Sequence, residues 1–227
     1  MALNRFGDPG KYRVQSAQML ATTMHLLRGT PYIYMGEEIG MINPDYQSID
    51  DYDDVEAKNA YQSLLDAGKS KEEAFAIVKY KARDNSRTPM HWNSERYAGF
   101  SQVKPWLMPT DQDRINVEKE LAQGQIFNYY QKLIALRKNS DLIAQGHVEP
   151  LFKDDQQVLA YRRFLPGQSQ SLLVFNNFSK DEASLDLDKY QGKSCQVLIS
   201  NYQSDLTTLP ADLKLAPYQS LAVLINE

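Results

Sequence analysis

Two carboxylates stand side by side in GTPYIYMGEEIG, residues 29–40. Glu37 and Glu38 close a short apolar, aromatic run, and paired carboxylates at the end of a buried strand are what acid/base hydrolysis requires. Geometry weighs against a catalytic pair. Adjacent residues of an extended chain point to opposite sides, whereas the carboxyl groups of a glycosidase flank one bond at about 5–9.5 Å. At most one of the two faces a site. The other caps a turn or binds backbone amides.

A second stretch, RDNSRTPMHW at residues 83–92, concentrates polar groups around an arginine. Arg87, flanked by Asp84, Asn85, Ser86 and Thr88 and fixed by Pro89, suits bidentate contact with hydroxyls or carboxylates. An arginine that staples the loop to neighbouring carboxylates has the same local sequence, and the residues alone leave both readings open. His91, between Met90 and Trp92, reads as a packed, hydrogen-bonded histidine rather than a base. Asp51, Asp53, Asp54 and Glu56 read as a solvated helix start. Tyr32 and Tyr34 share one face of the expected strand and read as core packing. The histidines at 25, 91 and 147 lack metal-ligand spacing, so no metal site is expected. No glycine-rich phosphate loop and no Ser-His-Asp arrangement accompanies them, and no cofactor is expected.

Periodicity and turn chemistry supply the scaffold for these residues. Asp8-Pro9-Gly10 suggests a helix start, with Pro9 in the first turn. Val14, Ala17, Leu20, Ala21, Met24 and Leu27 then form one apolar face of a helix running to about Arg28. Gly29 stops it, and TPYIYM reads as a buried strand. Helix, tight turn, strand is α/β grammar. Residues 49–68 begin acidic and become helical, ending at Gly68. Ser70 and Glu73 form a capping box for a helix over EEAFAIVKYKA. The long segment from Arg83 to Trp106, with two tryptophans, exceeds a plain connector and predicts an ordered functional loop. A further helix covers about Gln125–Lys138.

Beyond residue 142 the texture changes. HVEPLFKDD, QVLAYRRFL, SLLVFNNFS, ASLDL, CQVLIS and SLAVLIN are strand-like runs separated by turn formers, predicting an antiparallel sandwich or barrel. The expected division is 1–141 and 142–227. No cluster of polar residues in the second part suggests a site.

The 227 residues are 42% hydrophobic and 24% charged, with a net charge of -4, which describes a globular chain and argues against a nucleic-acid partner. No apolar run of about 18 residues is present, so no membrane span is expected. The start of the chain has no apolar core like that of a signal peptide. The single cysteine, Cys195, permits no intrachain disulfide and reads as a buried packing residue. A reducing, cytoplasmic setting fits this usage.

GTPYIYMGEEIGM, DDVEAKN, RDNSRTPMHW, AGFS, PW and INVE, in that order, resemble the C-terminal part of bacterial α-glucosidases of glycoside hydrolase family 13, nearly end to end. The nearest types are oligo-1,6-glucosidase, dextran glucosidase and trehalose-6-phosphate hydrolase. The resemblance implies the last part of a (β/α)8 barrel followed by an antiparallel β-sandwich, domain C, with GTPYIYM as the eighth barrel strand. It implies retaining hydrolysis with an aspartate nucleophile, a glutamate acid/base and a stabilising aspartate in an Asn-His-Asp motif. RFGD, residues 5–8, resembles the family sequence a few residues after that motif. All three carboxylates and about seven strands are therefore expected to precede this chain, and catalytic residues to be absent from it.

The same resemblance places Arg87 against the glucose of the −1 subsite, Glu56 against the +1 sugar, and Asp84 as a residue holding the loop. The implied substrate is a small oligosaccharide with α-1,6 bonds. The chain by itself is expected to be inactive, and to self-associate or pair with an N-terminal fragment. A non-catalytic structural or carbohydrate-binding module is the alternative from outside enzymology. Met35, Asp53 and His91 depart from the usual Gln, Arg and Gln. They mark either a subfamily or relaxed selection.

Overall fold

The computed structural model describes residues 1–226, which form two compact units, one of residues 35–124 with Met1 and one of residues 2–34 with 125 onward. The first unit carries the polar loops. Helix α3 (Val55–Asp66) starts at Asp54, whose side chain accepts the Glu56 N–H, and ends before Gly68, at φ 85°. Helix α4 (Lys71–Lys81) starts with the expected reciprocal capping box of Ser70 and Glu73. The two helices pack together over Tyr46, Tyr52, Ala57, Val78 and Leu107. Tyr52 lies edge-on to both Tyr46 and Phe75, at 5.0 and 6.3 Å between centroids. A smaller core of Ile39, Met41, Met90 and Ile115 lies beneath the GEEIG turn. The short helix α5 (Val117–Gln123), capped by Asn116, completes the unit.

The second unit contains α1 (Ala2–Phe6), α2 (Arg13–Leu26), α6 (Ile126–Lys138) and α7 (Asp141–Ala144). Its strands are β1 (His147–Leu151), β2 (Val158–Phe164), β3 (Gln170–Asn177), β4 (Ala183–Asp186), β5 (Cys195–Ser200), β6 (Asp212–Leu215) and β7 (Ser220–Asn226). Five of these form an antiparallel sheet in the order β1-β2-β3-β7-β5, and β4 pairs with β6 as a second sheet. Leu173, Phe175, Val223 and Ile225 from the large sheet meet Leu185, Leu213 and Leu215 from the small one, as in a sandwich. Helix α2 contacts β3 and β7, which is why Leu172 to Phe175 are buried without alternation. Strand β6 was not anticipated, although Leu213 and Leu215 carry the alternation that marks it. Cys195 is partly rather than fully buried, packed at the edge of this core.

Three local expectations are corrected. Asp8-Pro9-Gly10 is not a first helical turn. The Asp8 carboxylate accepts the Gly10 N–H at 2.6 Å, a local turn that competes with helix, and α2 begins at Arg13. The expected apolar face of α2 is also incomplete. Val14, Leu20, Met24 and Leu27 are only partly buried, whereas Ser16, Gln18, Thr22 and His25 are fully covered. Gln18 and Thr22 are satisfied on the α6 side, and Ser16 by the Asp8 backbone. Thr22 and Tyr129 hydroxyls lie 2.8 Å apart, and Gln18 donates to the Gln125 carbonyl at 2.9 Å. Finally, residues 30–34 form no strand. A parallel barrel strand exists only through its neighbours' hydrogen bonds, and no described strand lies beside this segment. Tyr32, read as core packing, is 83% exposed, and Tyr34 is 47% exposed.

Candidate functional site

The GEEIG turn is built by its glycines. Gly36 and Gly40 take φ of 88° and 67°, and a Cβ on Gly36 would overlap the Met41 side chain. Between them Glu37–Ile39 form one 3-10 turn, with the Gly40 and Met41 N–H groups donating to the Glu37 and Gly36 carbonyls. Glu37 and Glu38 therefore sit on a turn, not on the extended chain from which their opposite directions were argued. One Glu38 carboxylate oxygen, Oε2, is buried without a hydrogen-bond partner among the described residues.

The polar loop holds the densest charge network in its unit. It starts from Asp84, which is 0% exposed at the 3-10 turn Arg83–Ser86 that follows α4. Asp84 Oδ2 accepts the Asp53 and Asp54 N–H groups at 2.9 and 2.8 Å, so the loop grips the chain just where α3 begins. Asp84 Oδ1 accepts Arg87 Nη1 at 3.3 Å, leaving the Arg87 side chain 42% exposed. Asp54 in turn receives a fork from Arg83, Nε to Oδ2 at 2.9 Å and Nη2 to Oδ1 at 2.7 Å. This hydrogen bonding, chiefly from Arg83, holds the Asp54 carboxyl below its usual range, and raises the Arg83 guanidinium. Arg83 Nη2 also lies 3.1 Å from Glu56 Oε2.

Of the three residues singled out in sequence, the structure joins Arg87 and Asp84 directly. Glu56 enters through Arg83 and Asp54. Sequence reading missed Arg83, and treated Asp54 as solvated when it is 8% exposed. The signal was present in part, since Asp54 is the helix cap and a capping carboxylate recruits cations. The pairing across 29 residues was not readable from spacing.

Around the network, Tyr52 donates to Asn85 Oδ1 at 3.4 Å, and burial, aided by nearby Asp84, pushes its phenol up to about 12. Asn85 donates to the Lys79 carbonyl at 2.8 Å. His91 is buried, with Nδ1 2.9 Å from the Ile115 carbonyl, and burial lowers its pKa. Among the described residues no cluster of three or more His, Cys, Asp or Glu could hold a metal, and no helix is long and apolar enough to cross a membrane. What the site offers is a half-exposed arginine, a second arginine and an exposed carboxylate, all on a buried acidic anchor. Such groups bind hydroxyls.

Comparison with known proteins identifies the family. Residues 2–146 match the family model of the alpha amylase catalytic domain, and residues 148–221 that of the maltogenic amylase C-terminal domain. The chain belongs to the α-amylase family, glycoside hydrolase family 13. It is 42% identical over 223 residues to an oligo-1,6-glucosidase of Parageobacillus thermoglucosidasius, covering 96% of this chain and 39% of that protein. It is 40% identical to a trehalose-6-phosphate hydrolase of Bacillus subtilis, covering 99% of this chain and 40% of that one. The crystal structure of Bacillus licheniformis trehalose-6-phosphate hydrolase superposes with a TM-score of 0.92 at 44% identity, over 100% of this chain and 41% of that one. The chain thus spans about 40% of the length of the relatives it matches.

Proposed function

We propose that this chain is the closing part of a retaining α-glucosidase that hydrolyses α-1,6-glucosidic bonds of isomalto-oligosaccharides or dextran. Arg87 contacts the glucose of the −1 subsite, Glu56 reaches the +1 sugar, and Asp84 holds the loop that carries Arg87. The observation behind this is the buried Asp84 carboxylate, which fixes the start of α3 with one oxygen and Arg87 with the other. A side chain so anchored presents donors at low entropic cost, as a sugar site requires.

In this reading the nucleophile and acid/base have no counterpart in these 227 residues, so the chain alone binds and does not cleave. The division in this reading lies at 141/142, a few residues before the change of family match between residues 146 and 148. The setting is cytoplasmic, and the partner is an N-terminal fragment or another copy. Hydrolysis of nitrophenyl α-glucoside by the purified chain would overturn the predicted inactivity. Calorimetric titration with isomaltose tests the binding, which Arg87→Ala should abolish.

A second reading, trehalose-6-phosphate hydrolysis, is favoured by the likeness to the Bacillus licheniformis structure. Preference of the chain for trehalose 6-phosphate over isomaltose in the same titration would select it.

A further inference from the structure

The Arg83–Glu56 contact supports an inference that deepens the sugar-binding reading and rests on it. An exposed ion pair is ordinarily loose and contributes little. Glu56 is such a residue, 71% exposed, and taken alone its carboxylate would sample many positions. Its partner is different. The Arg83 guanidinium is clamped by a two-pronged bond to Asp54, whose carboxylate is 5% exposed. Asp54 is itself fixed from two sides, because its N–H is bound by Asp84 and its Oδ1 accepts the Glu56 N–H at 3.2 Å. Glu56 therefore faces a cation whose plane and position are set by buried groups.

We propose that Arg83 is a positioning residue for Glu56, and that the two present a fixed donor–acceptor pair to the vicinal hydroxyls of a sugar. Arg83 supplies the donor. Its Nε and Nη2 are used on Asp54 and Glu56, while Nη1 donates to no group among the described residues, and the side chain is 54% exposed. Glu56 supplies the acceptor, since only Oε2 is engaged. A donor beside an acceptor on one rigid base matches a diol, whose neighbouring oxygens can accept one bond and donate the other. Lysine cannot replace this arginine, because an ammonium lacks the planar fork that holds Asp54 and Glu56 together.

The test is calorimetric titration of the 227-residue chain with isomaltose and with glucose, for the parent, Arg83→Gln, Arg83→Lys, Glu56→Gln and the Arg83→Gln/Glu56→Gln double variant. Thermal unfolding confirms that each is folded. Glucose occupies one subsite and reports on Arg87, and isomaltose reports on both. Arg83→Gln and Arg83→Lys are expected to weaken isomaltose about fivefold or more, the loss typical of a displaced hydrogen bond, with glucose unchanged. The double variant is expected to lose less than the sum of the two single losses, because Arg83 acts in part by holding Glu56 in place. Additive losses, or equal losses for the two sugars, would overturn the positioning role while leaving the sugar-binding reading in place. A parent chain that binds neither sugar would overturn both.

Discussion

Asp84 and Arg87 are three residues apart, and the carboxylate of the first is entirely buried while the guanidinium of the second, 3.3 Å away, reaches solvent. The other Asp84 oxygen takes two backbone N–H groups at the start of α3. One side chain thus joins a helix to a loop and fixes the loop's arginine. Removing it strands two backbone donors, while the Arg87 cation keeps its solvent. Asp84→Ala is expected to destabilise the chain by about 2–3 kcal/mol, the cost of leaving buried donors unsatisfied. Urea unfolding checks this, and a loss below about 0.5 kcal/mol would place the loop's support elsewhere.

Two further arginines close the end of α2. Arg163, 0% exposed, donates to the carbonyls of Leu26, Ile143, Gly146 and His147. Arg137 donates to those of His25, Leu27 and Gly29. Neither makes an ion pair with a carboxylate among the described residues, so each serves as a multiple donor to carbonyls that end a helix. Water can replace Arg137, which is only partly buried, but not Arg163. Arg163→Met is expected to cost about 3 kcal/mol or more and Arg137→Met about 1 kcal/mol in denaturant unfolding. Equal losses would contradict the role of burial.

Residues 30–35 present Tyr32, Ile33, Tyr34 and Met35 to solvent at 83, 42, 47 and 44%. Exposed aromatic and β-branched residues in a row favour association. The purified chain is expected to self-associate in light scattering, and Tyr32→Ser with Ile33→Ser to reduce it. A parent chain that stays monomeric at all concentrations would count against pairing through this segment.

The sequence disclosed what is local. Ser70 and Glu73 specify a helix start through their own backbone, and Gly36, Gly40 and Gly68 mark turns that need positive φ. Five of the six strand-like runs in the last third align closely with the strands found, and HVEPLFKDD contains β1, because alternation and turn residues lie within each run. What failed depended on partners distant in sequence. TPYIYM has the composition of a strand but pairs with no strand among the described residues. Thr22 and Gln18 of α2 are buried with partners because Tyr129 and Gln125 arrive from the α6 side. In the candidate site, Arg87 and Asp84 could be singled out within one motif, whereas Arg83 acquires its role from Asp54 and Glu56.

The buried histidines give the chain a defined acid response. His25 is 0% exposed, with Nδ1 2.9 Å from the Ala21 carbonyl and Nε2 without a hydrogen-bond partner among the described residues. The Tyr130 ring meets it edge-on at 5.3 Å. Burial lowers its pKa, and the Arg137 cation adds to that. His91 is lowered in the same direction, again by burial first. In the unfolded chain each imidazole titrates near about 6.5. Between that value and the lower folded pKa the unfolded state holds more protons, so stability falls as pH falls. The contribution is complete above the unfolded pKa and is lost as pH drops toward the folded one. Each histidine contributes a slope of at most about 1.4 kcal/mol per pH unit. Urea midpoints measured from pH 7.5 to 5.0 are expected to decline, and His25→Phe to flatten that decline by up to one proton's worth. An unchanged slope in His25→Phe would mean that His25 opens to solvent before it protonates.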